Sequence, residues 1–175
     1  ISDISLDLWR TRIGYVSQDS FLKNDTIAAN IRFFREHISD EDIARAAGDA
    51  GLAEFIQGLS KGLETTVGER GVFLSGGQRQ RIMLARALAG KPDILILDEV
   101  FAVGDLNFQK KCFDAIMDFK KRGKSIIFVS HSMDPIKDFC DRAMFLNHGK
   151  VGFIGSPSEA IIAYVDYLGS LNTNL

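Results

Sequence analysis

Two adjacent carboxylates, Asp98 and Glu99, close the apolar run Ile94-Leu95-Ile96-Leu97. Such a run, flanked by charge, predicts a strand buried on both faces. A carboxylate at a strand end can hold Mg²⁺, usually through water, because that ion keeps part of its hydration shell. A neighbouring carboxylate can orient or deprotonate an attacking water. Taken alone, the pair reads equally well as a charged strand end or a helix cap. A second stretch, Leu74-Ser75-Gly76-Gly77-Gln78, stands directly before a helical pattern. Glycine costs roughly 1 kcal/mol against alanine inside a helix, so two in succession call for a reason. The N–H groups at a helix start bind anions, and the helix dipole adds to the attraction. Glycines there let the backbone approach a phosphate closely, with Ser75 and Gln78 offering further hydrogen bonds. A glycine-rich turn with a serine cap is the plain alternative.

The elements that must position these residues follow from periodicity. Residues 12–16 and 125–130 read as buried strands alongside 93–98, ending in or just before Gln18, His131 and the Asp98-Glu99 pair. A helix is expected over 25–34 from an Asp25 or Thr26 cap, another over 39–52 from the Ser39…Asp42 start signal, and a short one over 52–59. The helix after Gly77 places Leu84, Ala87 and Leu88 on one face and stops near Gly90, with Pro92 beyond. Helices over 106–121 and 134–140, a hairpin around Asn147-His148-Gly149, and a last helix opened by Ser156-Pro157-Ser158-Glu159 and running to about Leu168 complete the pattern. The tail from Gly169 reads as loose. Strands alternating with helices predict a mostly parallel sheet flanked by helices, an α/β fold, with a helical insert; chemistry then collects at the carboxyl ends of the strands.

Bulk properties narrow the classes. The chain has 175 residues, 46% hydrophobic and 25% charged, with a net charge of −2. Dominant attraction to nucleic acid is not indicated, and no apolar run approaches the ~20 residues that span a bilayer. Cys112 and Cys140 have no partner at metal-ligand spacing and read as reduced cytosolic thiols. Arg79, Arg81 and Arg86 share the helix after Gly77 and are expected to be solvated or dimer-facing charges. His37 and His148 read as surface or turn residues. The first residue, Ile1, enters a pattern already under way, as a fragment of a longer chain would.

The ordered stretches "LSGGQRQR" (74–81), "ILILDE" (94–99) and "IIFVSH" (126–131), with Gln18 in "IGYVSQDSFLKNDTIAANI", resemble the nucleotide-binding domain of ATP-binding cassette (ABC) proteins. The resemblance implies a partial P-loop NTPase-like domain over 1–175. Its helical subdomain with the signature stretch would occupy about 25–90, its catalytic core 1–24 and 91–155, and a C-terminal helix and tail 156–175. It implies ATP and Mg²⁺ as cofactors. Gln18 would contact the metal and attacking water and relay movement to a membrane partner. Ser75, Gly76, Gly77 and Gln78 would face the γ-phosphate of a nucleotide held mainly by a second nucleotide-binding domain. Asp98 would support Mg²⁺, Glu99 would be the general base, Asp105 would cross the dimer interface, and His131 would touch the γ-phosphate.

The resemblance has a gap. The phosphate loop G-x-x-x-x-G-K-[ST] is missing; "RGKS" (122–125) precedes a strand, has Asp118 where the first glycine should stand, and leaves Lys124 as a helix-end charge. The isolated 175 residues are therefore expected to bind ATP poorly and hydrolyse it negligibly. "TTVGERGVFLSGGQ" and "FLKNDTIAANI" are similar to exporters with fused membrane spans, in which the loop over 66–71 touches the partner's coupling helices. "LDEVFAVGDLNFQKKC" and "VSHSMDPIKDFCDRAMFLNHGKV" resemble instead the ATPase subunits of polysaccharide or teichoic-acid exporters. Both point to export at the cytoplasmic face of a membrane, through transmembrane domains and without nucleic acid. The other readings are a non-catalytic docking module and a DNA-repair type ATPase; the second is disfavoured by the absence of long heptad repeats.

Overall fold

The computed structural model describes residues 5–19, 21–99 and 106–172. They fall into two compact units, divided between Val129 and Ser130. In chain order the first contains α1 (Leu6–Thr11), β1 (Ile13–Val16), α2 (Ile27–Arg32), α3 (Asp40–Asp49), α4 (Ala53–Gln57), α5 (Gly76–Ala89), β2 (Ile94–Asp98), α6 (Leu106–Lys121) and β3 (Ser125–Val129). Two single 3-10 turns precede α5.

The strands form a parallel sheet in the order β1-β2-β3, with Tyr15 opposite Ile96 and Ile96 opposite Ile127. Parallel pairing puts all three carboxyl ends at one edge. At the opposite edge, Asp93 is held by Lys124 and Arg12, whose cations keep its carboxyl below the usual range. Lys124 is thus a sheet-edge ion-pair partner. Val16, Leu95 and Leu97 are buried on one face, joined by Ile126 and Phe128. On the other face Tyr15, Ile127 and Val129 are exposed.

That corrects two expectations. β2 is buried on one face and half-buried on the other, and β3 is half-exposed rather than buried. An apolar run such as "SIIFV" looks the same whether one face or both are covered, so the run alone does not distinguish them.

Thr26 Oγ1 accepts from the Ala29 amide to start α2, and Ser39 Oγ accepts from the Asp42 amide to start α3. These caps are worth about 1 kcal/mol each. α5 is surrounded rather than one-faced: every residue from Ile82 to Ala89 is buried, against α2, α3 and β1. This differs from the single apolar face expected at Leu84, Ala87 and Leu88. The close approach of α5 to β1 requires Gly14, where a Cβ would lie 2.9 Å from the carbonyl oxygen of Ala87 and 3.1 Å from Leu95 Cδ1. A backbone oxygen cannot swing aside, so Gly14→Ala is expected to cost ~1–3 kcal/mol. Denaturant unfolding checks this; an unchanged midpoint would contradict it.

Cys112, Ile116 and Phe119 bring α6 into the same core, and burial pushes the Cys112 thiol up to about 12.

The second unit holds α7 (Met133–Phe139), β4 (Ala143–Asn147), β5 (Lys150–Gly155) and α8 (Pro157–Asn172). β4 and β5 form an antiparallel hairpin whose turn, His148-Gly149, has φ of 46° and 76°. α8 opens on a box in which Ser156 N–H donates to Glu159 and Glu159 N–H to Ser156 Oγ. It packs Tyr164 and Tyr167 against Phe145, with ring centroids 5.5 and 5.2 Å away. The helix continues to Asn172, four residues past the expected end and through what reads as a loose tail. No helix among the described residues is long and apolar enough to cross a membrane.

Candidate functional site

Gln18 lies two residues beyond the end of β1 and is exposed. Asp98 is the last residue of β2, and Glu99 follows it; both are half-buried. Gln18, Asp98 and Glu99 thus share the carboxyl edge of the sheet. Tyr15 Oη donates to Asp98 Oδ2 at 3.1 Å, which raises the phenol's own pKa. Glu99 has φ +53° while its amide donates to the Val129 carbonyl at 3.0 Å. A left-handed glutamate costs of order 1–3 kcal/mol, and such outliers cluster at functional sites. Here the turn ends the strand and re-aims the chain at the residue expected to meet water.

His131 lies two residues after β3 in the second unit and is exposed. Asp105 lies outside the described residues.

The second cluster is the start of α5. Ser75 Oγ accepts from the Gln78 amide at 3.2 Å, and Gln78 Oε1 accepts from the Ser75 amide at 2.8 Å. This reciprocal box satisfies two donors that a helix start otherwise leaves open. It also sorts the remaining polar groups by sign. With the Ser75 and Gln78 side-chain oxygens each already accepting one bond, the groups with no partner among the described residues are the Ser75 hydroxyl proton, the Gly76 and Gly77 amides and the Gln78 side-chain NH₂. All are donors, set at the positive end of a 14-residue helix. The arrangement suits an anion. None of Ser75 to Gln78 hydrogen-bonds to Gln18, Asp98 or Glu99. Within one chain, then, the donor cluster and the acidic strand end share no hydrogen bond.

The three arginines correct the expectation of solvated or dimer-facing charge. Arg79 Nη1 donates to the Leu74 carbonyl at 3.1 Å, and Arg81 Nη1 to the Gly51 carbonyl at 2.9 Å. Arg86 is only 8% exposed, with its guanidinium 3.9 Å from the Phe33 ring centroid. They staple the helix to its neighbours. Reasoning from sequence also missed Tyr15, although its place two residues after Ile13 puts it on the face that carries Asp98.

The family model described as "ABC transporter" matches residues 1–102. The chain belongs to the ABC transporter family. It is 42% identical over 150 residues to an uncharacterized ABC transporter ATP-binding protein, YknV, of Bacillus subtilis, covering 86% of this chain and 24% of the relative. It is 40% identical over 151 residues to an ATP-dependent lipid A-core flippase of Chromobacterium violaceum, covering 86% of this chain and 26% of that protein. Among solved structures, that of a bacterial Atm1-family ABC exporter with ATP bound superposes with a TM-score of 0.81 at 33% identity, over 93% of this chain and 28% of that one. The likeness bears out the α/β fold with a parallel sheet and flanking helices. This ABC chain spans about a quarter of the length of these relatives.

The donor set at the sheet edge fits Mg²⁺. Asp98 and Gln18 offer oxygen donors at the carboxyl ends of the paired strands β2 and β1. Mg²⁺ takes one or two carboxylates and fills its octahedron with phosphate oxygens and water.

Proposed function

We propose that this chain is the signature- and carboxylate-bearing part of an ATPase that powers an ABC exporter, with each ATP gripped between two copies. The observation that carries this reading is the all-donor start of α5, with no hydrogen bond to the acidic strand edge of its own chain. A phosphate bound at Ser75, Gly76, Gly77 and Gln78 of one copy then meets Asp98 and Glu99 of the other.

In that arrangement the Glu99 carboxylate accepts a proton from the water that attacks the γ-phosphorus, as the bond to the β–γ bridging oxygen breaks. Asp98 and the Gln18 side-chain oxygen would hold Mg²⁺, which would supply positive charge against the phosphates. The donors at Ser75, Gly77 and Gln78 meet the charge spread over the γ-phosphoryl oxygens; positioning and charge stabilisation are most of phosphoryl-transfer catalysis. The sequence holds no G-x-x-x-x-G-K-[ST] run, so the grip such a loop gives the β- and γ-phosphates is not assigned to these 175 residues.

Export rather than import is supported by the exporters among the relatives, and a membrane partner by the surface beside the loop that carries Gln18. Phe21, Phe34, Val72 and Phe73 are 60–77% exposed there. Large apolar side chains at such density mark an interaction face, which we assign to the cytoplasmic ends of the transmembrane domains. The chain then works at the cytoplasmic face of the membrane, through that contact.

Full-length protein reconstituted in lipid is expected to hydrolyse ATP in a Mg²⁺-dependent way, and the 175-residue chain alone to show no turnover above background. Turnover by the short chain that disappears in Glu99→Gln, or none in the full-length protein, would contradict the reading.

A further inference from the structure

Asn30 is fully buried in α2, yet its side chain is spent on a segment seven residues away. Its Oδ1 accepts from the Lys23 amide at 2.8 Å, and its Nδ2 donates to the Lys23 carbonyl at 3.1 Å. The side-chain amide thus pairs with both backbone groups of Lys23, as a neighbouring strand would. Nδ2 donates also to the Thr26 carbonyl at 3.0 Å. The backbone carbonyl of Asn30 in turn accepts from Arg86 Nε at 2.8 Å, and Arg86 lies near the carboxyl end of α5.

Arg86 is a cation in an unusual place. It lies against the Phe33 ring, makes no ion pair among the described residues, and shares its surroundings with a second cation, Arg35, whose Nη2 donates to the Arg86 carbonyl at 2.6 Å. Burial, and then Arg35, lower its pKa to about 10, so it stays protonated at neutral pH. Phe33 and Phe34 follow α2 with φ of 44° and 61°, two successive left-handed residues without a glycine. A buried unpaired cation and a strained turn both oppose folding, and an apolar residue at position 86 would avoid the first. What the arginine supplies, and an apolar side chain cannot, is the directed bond to Asn30 and the planar stack on Phe33.

We infer that Asn30 and Arg86 form a latch that makes the signature helix α5 and the segment following the glutamine loop, Phe21 to Thr26, one mechanical unit. They are positioning residues: neither faces the donor cluster or the acidic edge. A displacement of α5 on engaging phosphate through Ser75 to Gln78 is delivered through Arg86, Asn30 and Lys23 to Phe21, on the apolar surface. Phe34 moves with it, because its neighbour Phe33 is stacked on the same guanidinium. This rests on the nucleotide reading of α5 proposed above and names how that site is heard at the surface.

The test is hydrogen–deuterium exchange on the full-length protein carrying Glu99→Gln, with and without ATP and Mg²⁺, comparing the latch-intact form with Asn30→Ala and with Arg86→Lys. Lysine keeps the charge and loses both the Nε bond and the planar stack, which provides a milder variant should Asn30→Ala fail to fold. Without nucleotide, exchange over 21–26 is expected to rise about tenfold in Asn30→Ala, which loses both bonds to Lys23, and to stay near its starting rate in Arg86→Lys, which keeps them, with 39–50 and 94–98 unchanged in both. With ATP, 74–80 is expected to gain protection in every form, and 21–26 only where the latch is intact. Equal protection of 21–26 in the variants, or faster exchange spread over 39–50 and 94–98, would overturn the latch. If ATP protects 74–80 in no form, the nucleotide reading itself fails and takes the latch with it.

Discussion

Glu99→Gln in the full-length protein is expected to lower ATP turnover by about 10²- to 10⁴-fold, the range a positioned general base contributes. The amide has the shape of the carboxylate but cannot take the proton of the attacking water. ATP affinity is expected to survive, because Asp98 and the α5 donors are untouched. The left-handed backbone at Glu99 (φ +53°) is already borne by a non-glycine residue of the same size, so no loss of folding is expected to confuse the result. Turnover and nucleotide binding measured on the same preparation decide it. Wild-type turnover would remove Glu99 from the role of base.

Ser75→Asp separates the structural duty of the signature start from its proposed chemistry. Aspartate caps a helix about as well as serine, and its charge is welcome at the positive end of the dipole. The thermal midpoint is therefore expected to stay within about 2 °C. The same carboxylate replaces a hydroxyl donor by a negative charge at the place assigned to the γ-phosphate. Loss of a single such donor costs about 10²- to 10³-fold in rate elsewhere, and added repulsion makes at least that loss the expectation here. Ser75→Asn, which also caps but keeps an N–H donor, is expected to retain more activity than Ser75→Asp. Equal, near-normal rates in both variants would reduce the sequence around Ser75 to a helix cap.

The contrast between those two residues and the arginines shows what a sequence can disclose. Caps obey rules that reach three or four residues, so Thr26, Ser39, Ser75 and Ser156 are legible and the structure places each at a helix start. Strand ends are legible for the same reason, which is why Asp98 is found where the apolar run says it should be. Arg86 depends on Asn30, 56 positions away, and on a ring carried by a left-handed turn. Nothing local marks it as buried, and three arginines on one helix read naturally as solvated. β3 fails differently. Its apolar residues are real, but whether a face is covered depends on neighbours outside the strand, so exposed Ile127 and Val129 carry no local signature. At α8, Gly169 suggests a stop, yet packing of Tyr164 and Tyr167 on Phe145 holds the helix together past Leu168. The donor-only character of the α5 start lies between these cases: the residues are legible, but their sorting by sign emerges only once the capping box is seen to consume the acceptors.

The central claim is that the donors of one copy and the acids of another make one site. It is tested most directly by purified full-length dimers of defined composition. One dimer pairs a Glu99→Gln chain with a Ser75→Asp chain; the other pairs a chain carrying both changes with an unaltered chain. If the site is shared across copies, the first dimer keeps one intact site and turns ATP over, while the second keeps none and is inactive. If each chain builds its own site, the order reverses, and activity found in the second dimer but not the first would contradict the account.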